Sequence, residues 1–231
     1  MVDSEPNPGL DRVRHQLRAD GVRGETPNPL RSGVHSRGYL PHVKREGASY
    51  FVTFRLADSL PQEVLLDLKH RWSGQMEKLA TTDADGREEV DKELRRQVGR
   101  YLDQGAGECH LRLPEIANMV ADALKFFHDK QYVLDEWVVM PNHVHLILWP
   151  MPNRTLSDIL KSRKRQTARQ ANLIMGRTGE RFWQPEPYDH WIRNDAEKAR
   201  IRRYIRNNPV AAGLCKAPEE WRWSSAWGRE K

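Results

Sequence analysis

His143 and His145 stand two residues apart in the run PNHVHLIL. On an extended strand, positions i and i+2 point to the same face. Two neutral imidazoles side by side can share a divalent cation. Val144, Leu146 and Leu148 alternate with them and form an opposite, core-facing side, while Ile147 continues the histidine face. Metal-competent groups on one side and hydrocarbon on the other make this strand the first place to look for chemistry. The spacing alone is not specific, because two surface histidines on an ordinary strand share it. The rest of the chain must supply partners.

Three chemistries use a His-x-His strand. A histidine-triad nucleotide hydrolase needs a third histidine two residues on, and that position is Ile147. A zinc site needs a third histidine or a carboxylate. The third is the arrangement of histidine, bulky hydrophobe and histidine (HUH) in nucleases that cut single-stranded DNA with a tyrosine. It demands a tyrosine and one further ligand, and Tyr188 and Tyr204 both lie downstream. Tyr204 falls in ARIRRYIRNNPVAAGL, which reads as a helix, with Asn208 four residues later. Positions i and i+4 stand one above the other on a helix, so a phenol and an amide oxygen can face one metal. Ile201 and Ile205 form the neighbouring apolar stripe, which would dock this face on the sheet. Arg202, Arg203 and Arg206 point elsewhere and are available for phosphates.

Charge supports a polyanionic partner. The 231 residues carry 38 Lys+Arg and 32 Asp+Glu, a net of +6 with pI near 9.4. Between Lys161 and Arg206 there are thirteen Lys/Arg against five Asp/Glu, a net of +8, so the remainder sums to −2. Five tryptophans lie in or after that stretch: Trp183, Trp191, Trp221, Trp223 and Trp227. Phosphates take positive charge and exposed bases stack on rings. Lys161, Arg163, Lys164, Arg165, Arg169, Arg202, Arg203 and Arg206 are the candidate phosphate contacts, with Trp183 and Trp191 for stacking. No apolar run is long enough to span a bilayer. The opening MVDSEPNPGL lacks the apolar stretch of a secretory signal. Cys109 and Cys215 have no CxxC partner, which excludes a disulfide scaffold and a thiolate zinc site. A soluble protein of the reducing cytoplasm is expected.

The elements that must position these residues follow from periodicity. Residues 1–46 read as a flexible arm. No Phe, Trp or Tyr falls in the first 38, which hold four Pro and five Gly, so this segment cannot bury enough surface to fold alone. SYFVTFRL reads as a strand. Gln62–Leu79, Arg87–Asp103 and Leu113–Lys130 read as helices, the third with Pro114 at its first position. YVLDEWVVM and HVHLILW are strands joined so closely that they must be antiparallel neighbours. Thr155–Ile174 reads as a basic amphipathic helix. RFWQPEPYDHWIR has strand composition but two prolines, which suits an edge strand or extended loop. Asn194 with Glu197 three residues on reads as the cap of a last helix, which Pro209 and Gly213 stop near Asn207. The tail Trp221–Trp227 should pack back on the domain.

Taken together, YFVTFRL, VVMPNHVHLILWP, FWQPEPYDHWIRND, YIRNNPVAAGL and WRWSSA resemble, in order and spacing, the REP-associated tyrosine transposases, a branch of the single-tyrosine HUH transposases. The resemblance covers roughly residues 47–225. It implies an α+β fold, a ferredoxin-like antiparallel sheet carrying the histidines with helices flanking it. It implies Tyr204 as nucleophile, His143, His145 and Asn208 as ligands of Mg²⁺ or Mn²⁺, and supporting roles for Tyr188 and His190. The implied partner is single-stranded or hairpin DNA, including extragenic palindromic repeats, acted on by a monomer or homodimer in the nucleoid. A single catalytic domain over residues 47–228 is expected, with a helical insertion at about 86–104 that leaves the motifs untouched. A catalytically silent DNA-binding regulator and a His-x-His nucleotide phosphodiesterase are the alternatives.

Overall fold

The computed structural model describes residues 33–36, 41–44, 47–79 and 83–228. β1 (Gly33–Ser36) and β2 (Pro41–Lys44) form an antiparallel hairpin, so the end of the arm has backbone order of its own. The remainder of the arm lies outside the described residues. The main sheet comprises β3 (Tyr50–Arg55), β4 (Tyr132–Val139), β5 (His143–Pro150) and β6 (Tyr188–Trp191). Its order is β4-β5-β3-β6, antiparallel throughout. This is the strand order of a ferredoxin-like βαββαβ unit. Among the described residues, the strand in the segment with two prolines, β6, pairs with β3 alone, as an edge strand should.

Helices α1 (Gln62–Lys78), α2 (Ala84–Asp103) and α3 (Pro114–Phe126) lie between β3 and β4, α4 (Leu156–Met175) between β5 and β6, and α5 (Asp195–Ala211) after β6. α3 and α4 cover one face of the sheet. There Val52, Phe54, Val144, Leu146 and Leu148 pack with Ile116, Val120, Leu124, Ile159 and Leu160. α5 covers the other, where Val138, Met140, Ile147 and Ile192 meet Ile205, with Ile201 half-buried beside them. β5 is therefore buried on both faces. Complete burial of Ile205 contributes about 2 kcal/mol to the docking of α5.

Several element ends differ from the sequence reading. α3 stops at Phe126 because Asp129, at φ 58°, turns the chain and donates its N–H to the Tyr132 carbonyl. α2 starts at Ala84, where the Asp83 side chain accepts from Gly86 N–H. Asn194 caps α5, accepting from Glu197 N–H. That helix does not stop at Asn207 but runs through Pro209 to Ala211. Proline removes one backbone donor, and the ladder resumes with Ala212 N–H to the Asn208 carbonyl. Burial of Pro209 offsets the lost bond and keeps Asn208 in helical register with Tyr204. The tail packs back as expected. Ser224 bridges Val138, and Val139 N–H donates to the Trp223 carbonyl, which covers the free edge of β4.

A β-bulge in β4 fixes α5 in place. The pairing with β5 slips by one residue between Leu134 and Trp137. Consecutive strand residues ordinarily face opposite sides, and a bulge lets two share one. Asp135 and Glu136 therefore both face α5. Asp135 accepts two bonds from Arg202 Nε and Nη2, at 3.0 and 2.7 Å, and one ion pair from Lys198 at 3.0 Å. Glu136, 2% exposed, accepts from Arg206 and from Ser225 of the tail. Removing one partner of a buried charge is costly because the other keeps its desolvation penalty. Arg206→Ala should therefore destabilise the protein by about 3 kcal/mol, whereas the exposed Arg203→Ala should change stability by less than about 0.5 kcal/mol. Urea denaturation of the two variants checks this, and equal midpoints would sink the clamp.

Candidate active site

The sheet face under α5 carries the predicted residues together. His143 and His145 are buried, with ring centroids 4.5 Å apart. Tyr204 sits above them on α5, its hydroxyl 3.2 Å from His145 Nε2. The Phe51 ring lies 5.4 Å from the His145 ring and 6.1 Å, edge to face, from Tyr204. Asn208, one turn beyond Tyr204, is buried at 2% exposure. Tyr188 approaches the same Phe51 ring at 6.3 Å, and His190 pairs with Glu197 at 2.9 Å. Ile147, where a third histidine would stand, belongs to the apolar packing under Ile205.

Hydrogen bonds set the state of each imidazole. Asn142 is fully buried, and its Nδ2 donates to the Leu102 and Ala106 carbonyls at 3.2 and 3.0 Å. Its Oδ1 is thereby turned to His143 Nδ1 at 2.7 Å and accepts that proton. The second nitrogen, Nε2, is left as a bare acceptor. His145 Nδ1 is held by Thr53 Oγ1 at 2.7 Å. Among the described residues, His143 Nε2 and Asn208 Oδ1 are buried acceptors with no hydrogen-bond partner. Such orphans cost stability and call for an explanation. Two imidazole nitrogens and an amide oxygen make a donor set that suits Mg²⁺ or Mn²⁺, so the residues fit a divalent cation.

Electrostatics favours neutral imidazoles. Burial drives His143 down to about 3 from 6.5, with the Asn208 amide opposing weakly. Burial, then the charge of His143, hold His145 well below its ordinary value. Burial, and next the Asp103 carboxylate, push the Tyr204 hydroxyl above its usual 10. Asp103 Oδ1 lies 3.5 Å from Asn208 Nδ2. Burial first raises Asp103 itself. The end of α2 thus closes the site, and the expectation that this helix leaves the motifs untouched is overturned. Asn142, Thr53 and Asp103 were missed in the sequence. PN read as turn chemistry, and a lone threonine or aspartate carries no signal until the fold brings it across 92 or 105 residues.

The expected phosphate contacts divide sharply. Arg202 and Arg206 are committed to Asp135 and Glu136, so they do not point away from the sheet. Arg163 is buried on the Phe127 ring, 3.3 Å from its centroid. Lys164 donates to the carbonyls of Gln184 and Pro185. Trp183 is buried and donates to Thr167 Oγ1, which leaves no face for a base, and Trp191 packs half-buried against the core. Lys161, Arg165 and Arg169 are exposed, one turn apart on α4, and Arg203 is exposed on α5. In a second polar cluster, Asp58, Glu108 and His110, the Arg177 guanidinium already engages two of the three groups. Arg177 Nη1 stands 2.8 Å from Glu108 and 2.9 Å from His110.

Neutral buried histidines tie stability to pH. Below 6.5 the unfolded chain protonates at His143 and the folded chain does not until about 3. The contribution is therefore complete above 6.5 and lost as pH falls through that window. Without added metal, stability should drop by up to about 1.4 kcal/mol per pH unit for each such histidine. His143→Gln should flatten the slope, as read from urea midpoints between pH 7 and pH 4. An unchanged slope would contradict the buried neutral state.

The chain is similar to known proteins over this region. Residues 110–208 match the family "Transposase IS200 like", a span that holds both histidines, Tyr204 and Asn208. Over 102 residues the chain is 32% identical to the REP-associated tyrosine transposase of Escherichia coli (strain K12), covering 44% of this chain and 59% of that one. The chain thus spans about three-fifths of that relative's length. A solved structure of a REP-associated tyrosine transposase bound to a REP hairpin aligns over 83% of this chain and 81% of its own, with 20% identity and a TM-score of 0.45. Residues 110–208 of the chain are thus similar to the IS200-like transposases, over the stretch that carries both histidines, Tyr204 and Asn208.

Proposed function

We propose that the protein is a metal-dependent tyrosine transposase that cleaves and rejoins single-stranded or hairpin DNA. The observation that carries this reading is the convergence of a tyrosine hydroxyl with two orphaned buried acceptors, His143 Nε2 and Asn208 Oδ1, on one sheet face. Neither a silent regulator nor a small-nucleotide hydrolase needs a tyrosine docked there. REP-type hairpins are the proposed substrate class, by the likeness to the curated relative.

His143, His145 and Asn208 would hold the cation. When bound, a divalent ion supplies positive charge against phosphate oxygens and a developing phenolate. The chain supplies the rest. The Asp135–Glu136 clamp and Ile205 fix α5, so Tyr204 meets the scissile phosphate with its backbone already ordered. Tyr204 Oη attacks phosphorus, the bond to the 3′ oxygen breaks, and the product is a 5′-phosphotyrosyl link with a free 3′-OH. Because bond energy is kept in the link, a second 3′-OH can reverse the step and join strands without ATP. Lys161, Arg165 and Arg169 on α4 and Arg203 on α5 are the proposed contacts to the DNA backbone. Tyr188 and His190 border the site as supporting groups.

Incubation with hairpin oligonucleotides bearing single-stranded flanks and Mn²⁺ should give a denaturant-resistant protein–DNA adduct. Tyr204→Phe should abolish it and Tyr188→Phe should retain it, with the adducted peptide mapping to α5. Absence of any wild-type adduct, or an adduct on Tyr188, would overturn the reading. Asn208→Ala should weaken Mn²⁺ binding, followed by its electron paramagnetic resonance signal, about 10- to 100-fold.

A further inference from the structure

The site face of β3 does not end at Thr53. Phe51 and Thr53 contact His145 on this face, and alternation along a strand places Arg55 there too. In the sheet register Arg55 stands directly opposite His143. Cross-strand partners on one face have Cβ atoms about 5 Å apart, so the side chains of Arg55 and His143 leave the sheet side by side.

Its electrostatic surroundings are unlike those of the two arginines that α5 presents to this side of the sheet. Arg202 and Arg206 each meet a carboxylate. Arg55 donates from Nη1 to the Ser59 hydroxyl at 3.3 Å, and no carboxylate is paired with it among the described residues. Burial lowers it to about 10. A second cation lies close by. Lys164, lowered to about 8 by burial and then by Arg55, has Glu186 acting on it in the other direction. A half-buried guanidinium without a counter-ion, beside another cation, is costly. It is tolerated in folds when a ligand supplies the negative charge. The planar fork of arginine matches the paired oxygens of a phosphate.

We propose that Arg55 is a catalytic residue that binds the non-bridging oxygens of the scissile phosphate, on the β3 side of the histidine pair. This rests on the assignment of Tyr204 as nucleophile. Arg55 would hold the phosphate for attack and take up charge as the phosphorus becomes five-coordinate. Nothing is transferred to or from the guanidinium itself.

The test uses the full-length chain, Mn²⁺ and a flanked hairpin oligonucleotide that the wild type converts to adduct, in single-turnover reactions. Arg55→Gln should slow adduct formation about a hundredfold, the usual cost of one lost donor to a transition-state oxygen. Arg55→Lys, which keeps the charge but not the fork, should be slowed less. The same substrate with a neutral methylphosphonate at the scissile position removes the charge that Arg55 meets, so wild type and Arg55→Gln should then react alike. Added guanidinium ion should partly restore Arg55→Gln on the phosphate substrate. Equal rates for wild type and Arg55→Gln on phosphate overturn the proposal, and so does a loss of equal size on methylphosphonate. Should Arg55→Gln fail to fold, Arg55→Lys carries the same comparison. Failure of the wild type to form any adduct strikes the Tyr204 reading instead, and the two failures are thereby distinguished.

Discussion

Two carboxylates on a bulged strand decide where the tyrosine goes. Asp135 and Glu136 share the α5 side of the sheet only because β4 carries one extra residue between Leu134 and Trp137. Each takes an arginine of α5, and the arginines at 202 and 206 are one turn apart, as are Tyr204 and Asn208. The ionic row and the tyrosine–asparagine row therefore descend the same helix. Once the first is locked to β4, the second has to lie over β5. Ile205 between them supplies the apolar contact that charge alone would not give, since ion pairs contribute little without burial around them. Regular β4 pairing would turn Asp135 towards α3 and loosen the end of α5 that carries Arg202.

The same economy appears one layer out. Asn142 lies buried behind the histidine pair, yet it sets the proton on His143. Its amide is oriented by two backbone carbonyls at the end of α2, and that orientation leaves Nε2 bare. α2 reaches the site twice, through those carbonyls at Leu102 and Ala106 just beyond it, and through Asp103 beside Asn208. A helix that looks like an appendage in the sequence is thus part of the wall. Buried acceptors left unmatched at His143 Nε2 and Asn208 Oδ1 work against folding, and the apolar packing on both faces of β5 offsets this.

Much of this was legible in the residues. Alternation along PNHVHLIL separated the histidine face from the core face correctly, because β5 is a regular strand. The i, i+4 relation of Tyr204 and Asn208 survived a proline that should have ended the helix, since Pro209 is buried and the backbone bonds resume after it. Partnerships across long stretches of chain were not legible. An arginine on an exposed-looking stripe reads the same whether solvent or Glu136 lies opposite. A one-residue bulge leaves no mark in composition. Trp183 reads as a stacking ring by type, and only the core around Phe54 and Thr167 reveals that both of its faces are taken.

Charge counting is where this matters most. The net +8 between Lys161 and Arg206 suggested one basic surface around the nucleophile. In the fold, Lys198, Arg202 and Arg206 neutralise the acid pair of β4. Lys161, Arg165 and Arg169 stand on α4, across the sheet from Tyr204. A strand laid over Tyr204 consequently meets few free cations from α5 itself, with Arg203 the exposed one of 202, 203 and 206 that is not committed to a carboxylate of β4. Phosphate charge at that point must be answered from the sheet. Among the residues that share the histidine face of β3, Phe51 and Thr53 are uncharged, which leaves Arg55 as the group on that strand able to answer it. The basic bias of the chain therefore has two separate parts, one that fastens α5 to β4 and one that stands exposed on α4 and at Arg203, and only the second varies freely without moving the tyrosine.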